Sequence, residues 1–376
     1  MKKYDLDGYD AEKYLSPYWK GNVSYAEAAF VGEEPDGSIL PIRLLYPADE
    51  IISVRSFDLG TLYKRGVDYE LDNGMIRILP GSSIPALAYR DYCFEHYTYD
   101  GIKTQIAAAD DSGKGYIVAE ISHEKKGLSN WVIACTYTHS GKSVISEPPD
   151  RSDRFSGFSA LLSANKEIKA VLYGDSITCG WSATGFSVVN RPPFSPPYTD
   201  MAFDRLEKEY GAKIIRKNLS VSGKDTGWAI GDDNIAAVVA EAPDLLVLAF
   251  GMNDGVHRPP EEFGRNIDYI VREVSKGCPD VGIAVVLPML PNSEVGFTPG
   301  TTLRKYQPGY PSELTKLEKG WDADGIRATV VDVTSRHAEM LTVKSFRDCS
   351  SSNTNHPSDY IHRFYAQILL RTLCGI

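Results

Sequence analysis

The sequence has no long apolar run. No stretch approaches the roughly 18 to 20 residues that span a bilayer, which excludes a membrane-crossing helix. It has no long basic run either. Asp and Glu number 50 against 40 Lys and Arg, a formal charge of -10. An acidic chain of this kind is a poor partner for nucleic acid or an anionic membrane surface. Cysteine is scarce, six in 376 residues. None forms a Cys-x-x-Cys pair, so neither a disulfide framework nor a thiol redox motif is expected. No His-Glu-x-x-His or other His/Cys spacing points to a metal, and none is expected. Gly141-Lys142-Ser143 is not a phosphate-binding loop, because position 136 is Thr where Gly is needed. The opening Met1-Lys2-Lys3-Tyr4-Asp5-Leu6-Asp7 lacks the apolar core of a signal peptide, so the expected location is cytoplasmic, or secreted if a leader was removed. What is present is the composition of a globular protein, 43% hydrophobic and 24% charged. A chain of this length has room for two domains.

The character of the chain changes near residue 150. Before it, residues 23–31, 40–47, 51–57, 116–121 and 131–139 are short and rich in β-branched and aromatic side chains, which predicts strands. Residues 69–71 and 75–78 flank Asp72-Asn73-Gly74, and Asn-Gly suits the positive φ angles of a type I′ hairpin turn. Short strands separated by turn signals predict a β-sandwich or jelly-roll-like accessory domain over 1–150. Residues 140–154, with Pro148-Pro149, read as a crossing between domains. Over 151–376 strand and helix alternate. Strands are predicted at 168–173, 213–218, 244–250, 281–287 and 326–333. Helices are predicted at 198–210, 233–241, 261–276, 312–319, 335–343 and after Pro357. Apolar strands separated by helices predict a parallel sheet covered on both faces, an α/β fold in three layers. Two long loops, 185–197 and 289–311, are rich in Gly and Pro.

Open parallel sheets bind ligands at the C-terminal ends of their strands, so the residues after each strand are the candidates. After the first comes Gly174-Asp175-Ser176-Ile177, with Ser176 as a possible nucleophile whose own N–H could face an oxyanion. A capped turn is the plainer reading of those four residues alone. After the second comes Ser222-Gly223, where a glycine exposes backbone N–H. After the third comes Gly251-Met252-Asn253-Asp254, where Asn253 offers an amide donor. Near the C-terminus His356 stands before Pro357 and the last helix. In chain order these supply a nucleophile, two oxyanion donors and a general base, each from a separate crossing.

In these blocks the region from about 166 to 376 resembles the GDSL, or SGNH, hydrolases. Gly174-Asp175-Ser176-Ile177 is similar to the family's first block, with Ile for the usual Leu. Gly223 matches its glycine block, Gly251 to Asp254 its Gly-x-Asn-Asp block, and His356-Pro357 its last block. The resemblance implies a flavodoxin-like α/β/α domain, no cofactor, and hydrolysis of esters or thioesters through Ser176 and His356. It implies an oxyanion hole from Ser176, Gly223 and Asn253, and an occasional β-rich N-terminal domain. Asp175, Asp254 and Asp359 are possible supports of the site.

One position departs from the family. Three residues before the histidine the family carries Asp, and here stands Asn353. An amide oxygen can still accept from the imidazole Nδ1–H, without charge. Three readings follow: Asn353 as a neutral orienting group, Asp359 or Asp348 in its place, or a site decayed to binding. Cys179, Trp181, Trp228 and His257 read first as packing or solvated loop residues. The expected activity is a serine esterase for short acyl groups, with acetyl esters of carbohydrate favoured from the architecture. A lipid esterase, an acyl-thioesterase and a carbohydrate-binding protein are the alternatives. The sequence gives no oligomeric state.

Overall fold

The computed structural model describes residues 11–94, 105–108, 115–118, 128–294 and 304–376. The predicted strand at 116–121 and the loop at 289–311 fall partly outside these residues. Among the described residues nine strands precede residue 140: β1 (Val23–Phe30), β2 (Glu50–Ser56), β3 (Leu62–Tyr63), β4 (Tyr69–Asp72), β5 (Met75–Ile78), β6 (Cys93–Phe94), β7 (Gln105–Ala108), β8 (Gly115–Val118) and β9 (Val132–Thr138). They form an antiparallel sheet in the order β1-β9-β2-β3, a hairpin β4-β5 and a small sheet β6-β8-β7. The β4-β5 turn has Asn73 at φ 49 and Gly74 at φ 77, the two positive angles a type I′ turn requires. Residues 40–47 form no regular strand. Ile42 alone bridges to β5, its N–H donating to the Ile76 carbonyl at 2.8 Å, while Leu45 N–H donates to Glu27 Oε1 (2.7 Å) and Tyr46 N–H to the Tyr137 hydroxyl (3.2 Å).

The second half contains β10 (Glu167–Gly174), β11 (Lys213–Asn218), β12 (Leu245–Ala249), β13 (Gly282–Leu287) and β14 (Ala328–Asp332). They make one parallel sheet in the order β11-β10-β12-β13-β14. This is the flavodoxin-like order, whose switch point lies beside the first strand. Side chains alternate between the two faces. Ala170, Leu172, Val247, Ala249, Ala284 and Val286 join one hydrophobic cluster, and Val171, Tyr173, Leu246, Leu248, Ile283 and Val285 join the other. The second cluster is closed by the helices Pro260–Gly277 and Tyr310–Ala323. The first is closed by the helices Tyr198–Tyr210 and Asp359–Cys374.

That first cluster continues without a break into the N-terminal sheets, through Ala28, Val54, Cys135 and Tyr137. The last helix is thereby covered on its outer side as well. Tyr18 stacks on Tyr360 at 4.6 Å, Arg363 donates to the carbonyls of Tyr25 and Ala26, and Gln367 donates to the carbonyl of Ser16. Below this layer lies a buried charge cluster. Lys344 Nζ sits 2.7 Å from Glu27 Oε1 and 3.6 Å from Asp348 Oδ2. Glu27 Oε2 accepts from the Tyr137 hydroxyl at 2.6 Å.

Candidate active site

Strand β10 runs into a turn with no room for a side chain. A Cβ on Gly174 would lie 2.4 Å from the Ala249 carbonyl of β12. Asp175 is extended and caps the one-turn helix Ser176–Cys179, its Oδ1 accepting the Ile177 N–H at 2.9 Å. Gly180 at φ 106 ends that helix. Ser176 is therefore fixed at the C-terminal rim of β10, next to the middle strand β12. Burial pushes the Asp175 carboxyl up to about 7, with the Ile177 N–H acting in the opposite direction.

The Ser176 Oγ lies 2.9 Å from His356 Nε2. With its proton on Nδ1, the imidazole accepts from the serine hydroxyl, the arrangement a general base needs. Burial pushes the His356 pKa down to about 4, so the ring is neutral at neutral pH. His356 does not follow β14 directly. The helices Val333–Met340 and Phe346–Cys349 intervene, and His356 leaves a tight turn made by residues 350–356. The Phe346–Cys349 helix has a signal that the sequence reading passed over. Ser345 and Asp348 form a reciprocal capping box.

Among the described residues, the His356 Nδ1 has no hydrogen-bond partner. Asn353, expected as the orienting group, bonds to residues other than His356. It sits at φ 63, fully buried. Its Oδ1 accepts from Asn292 Nδ2 at 3.3 Å, and its Nδ2 points to the Tyr92 hydroxyl at 3.5 Å. The left-handed backbone of this residue turns its amide toward Asn292 and Tyr92. The two nearby acids are also engaged elsewhere. Asp359 accepts the N–H and hydroxyl of Thr184 at 2.9 and 2.7 Å. Asp348 accepts the N–H groups of Phe30 and Ser345 at 2.7 and 2.8 Å.

The other crossings are drawn to the Ser176 turn by short bonds. Val221 N–H donates to the Gly174 carbonyl at 3.0 Å, and Asn218 Nδ2 to the Thr178 carbonyl at 2.9 Å. Asp175 N–H donates to the Ala249 carbonyl at 3.3 Å. Gly223 has φ 75 and open space where a side chain would stand. Asn253 Nδ2 donates to the Lys224 carbonyl at 2.8 Å, which uses one of its two amide hydrogens. Asp254 lies behind it, fully buried, accepting from Thr226 N–H and from Arg258 Nε at 2.7 Å. Asp254 thus holds the loop that carries Asn253.

Cys179 is half-buried and burial raises its thiol pKa, so it stays protonated at neutral pH. His257 is exposed and pairs with Asp225 at 3.0 Å. Trp181 packs edge-on against Phe186, and its carbonyl lies 3.1 Å from His362 Nε2. Trp228 packs against Tyr173. Among the described residues no cluster of three or more His, Cys, Asp or Glu could hold a metal ion, and no helix is long and apolar enough to cross a membrane.

The GDSL-like lipase/acylhydrolase family model matches residues 172–364. No curated protein sequence matches the chain. Among solved structures it is similar to a two-domain esterase active on acetylated mannans, co-crystallised with mannopentaose. The identity there is 16% and the TM-score 0.43, over 59% of this chain and 53% of that one. The chain thus spans about half the length of that esterase. It is also similar to a catalytic mutant of the acetylxylan esterase of Geobacillus stearothermophilus. The identity is 20% and the TM-score 0.43, over 55% of this chain and 94% of that one.

Proposed function

The chain belongs to the GDSL-like lipase/acylhydrolase family, and from that premise we propose that it is a serine esterase that removes short acyl groups, acetyl above all, from carbohydrate esters. The observation that carries the reading is the 2.9 Å bond between Ser176 Oγ and the neutral His356 Nε2. His356 takes the Ser176 proton as Oγ attacks the ester carbonyl. The tetrahedral oxyanion is held by the N–H groups of Ser176 and Gly223 and by the free amide hydrogen of Asn253. His356 then gives its proton to the departing alcohol. Water, deprotonated by the same ring, releases the acid and restores Ser176. No step calls on a cofactor.

A small acyl pocket is supported by the loop after Ser176. It is folded back on itself, Gly185 N–H to the Ser195 carbonyl at 2.7 Å and Arg191 N–H to the Thr184 carbonyl at 2.9 Å. Asp359 pins it through Thr184. A carbohydrate alcohol is supported by a cavity of about 380 Å³ between this loop and the N-terminal sheet, lined by Phe57, Tyr63, Ser129, Asn130, Asn190 and Arg191. It falls within the usual range of ligand pockets, about 300 to 1,000 Å³. Its lining mixes flat rings with hydrogen-bonding groups, Asp58 and Arg191 among them, which suits a sugar better than an alkyl chain. Four of those six residues precede residue 140. The N-terminal part is accordingly proposed as a β-sandwich-like accessory unit ending near residue 150 that recognises the alcohol.

The test is product analysis on acetylated oligosaccharides beside aryl esters of increasing chain length. Acetate should be released from both substrate classes. Aryl esters should slow with length, since each extra methylene costs about 1 to 3 kcal/mol in a closed pocket. Faster turnover of octanoate than acetate would move the reading to a lipid esterase. Sugar binding without turnover would move it to a binding protein.

A further inference from the structure

We propose that the Ser352 hydroxyl positions His356 for proton transfer, fixing the turn from its backbone side in place of a group bonded to the ring. The inference rests on the Ser176–His356 reading. Ser352 is buried, in the run Ser350-Ser351-Ser352 that leads to the histidine. Its Oγ faces three successive backbone N–H groups, those of Thr354 (3.3 Å), Asn355 (3.3 Å) and His356 (3.1 Å). A hydroxyl can accept on two lone pairs and donate once. The Thr354 hydroxyl at 3.0 Å is a partner for the proton. The other polar group of the His356 backbone is held by the preceding serines. Ser350 Oγ donates to the His356 carbonyl at 2.8 Å, and Ser351 N–H to the same oxygen at 3.3 Å. Both backbone polar groups of His356 are thus fixed by this short run.

The ring itself has no comparable hold. Among the described residues nothing bonds to Nδ1, and Asn353, Asp348 and Asp359 are committed to other partners. The direction of the ring toward Ser176 then depends on where the turn places its Cα and on the walls around it. Ser352 is the side chain that closes that turn.

The experiment compares Ser352→Ala and Ser352→Thr with the wild type on an aryl acetate across pH, with the rate of phosphonate labelling of Ser176 alongside. In Ser352→Ala, kcat should fall about 10- to 100-fold, the effect of misplacing a reacting group by around 1 Å. KM should stay near the wild-type value. The acid limb of kcat/KM should move up toward the ordinary histidine range as the ring leaves its buried position. Ser352→Thr keeps the acceptor oxygen and should restore most of the rate. Wild-type kcat in Ser352→Ala would overturn the proposal. So would a loss that leaves the acid limb in place and is not restored by threonine. If Ser352→Ala does not fold, Ser352→Cys, a weaker acceptor, is read by the same criteria. Labelling separates this failure from that of the underlying reading. A wild type that is not labelled on Ser176 defeats the catalytic assignment. Equal labelling rates in wild type and Ser352→Ala defeat the Ser352 proposal alone.

Discussion

A histidine that takes a proton from serine must itself be unprotonated, and burial sets the pH at which that holds for His356. Its pKa is pushed down to about 4, against roughly 6.5 for an unperturbed imidazole. The neutral, active form dominates above the folded pKa and is lost as pH falls through it. The acid limb of kcat/KM should therefore lie near pH 4, with little change between pH 6 and 7. A limb near 6.5, measured with an aryl acetate in the intact fold, would mean that the free enzyme exposes the ring. Asn353 tests the same turn. Its side chain serves Asn292 and Tyr92, so Asn353→Asp should not raise kcat. A large gain would place the new carboxylate on Nδ1. At this scale the sequence was legible where a position follows directly from its strand, as with the places of Ser176 just past β10 and Asn253 just past β12. It was not legible at Asn353. The direction of that side chain depends on a positive φ and on Tyr92, 261 residues away.

Among the elements, the strands and helices of the parallel sheet were plain in the pattern. Predicted residues 198–210 and 213–218 coincide with the helix Tyr198–Tyr210 and with β11. There the inner strands β12 and β13 are apolar along their length, the edge strand β11 alternates and buries Ile214, and each long helix has its own buried face. The 40–47 segment misled because an apolar, β-branched pattern shows only which side chains are buried. Its backbone makes one bridge, Ile42 to Ile76 of β5, and otherwise bonds to the side chains of Glu27 and Tyr137, from β1 and β9. Those same side chains belong to the charge cluster that joins β1 to the segment before the Phe346–Cys349 helix. Lys344 and Glu27 are both fully buried. Removing one member of a buried pair strands the other, at a cost of about 3 to 5 kcal/mol. Lys344→Met should lower the denaturant midpoint accordingly. The exposed pair Arg65–Glu70, 3.3 Å apart, should contribute no more than about 1 kcal/mol. Equal effects of Lys344→Met and Arg65→Met in urea unfolding would contradict this ranking.

In the whole molecule the last helix is enclosed between the parallel sheet and the N-terminal sheets. The change of character near residue 150 was visible in the sequence, but the shared core was not. A signal for it lay in the helix Asp359–Cys374, where polar Arg363 and Gln367 stand among apolar residues. Both are buried, and both bond to the N-terminal segment. A fragment of residues 151–376 would expose that helix face and strand the Arg363 and Lys344 charges. It should aggregate or lack a cooperative melt, whereas the full chain should unfold in one transition. A soluble, active fragment would show that the N-terminal part is a separable module.

The central claim is that Ser176 is the nucleophile, activated by His356. It is tested most directly by treating the intact protein with an aryl phosphonate at neutral pH and locating the adduct by peptide mass spectrometry. One phosphonyl group should appear on Ser176, with loss of esterase activity in step. Ser176→Ala should take up none and lose on the order of 10⁴-fold or more in kcat. An adduct on Cys179, or a Ser176→Ala variant that hydrolyses aryl acetate at the wild-type rate, would contradict the account.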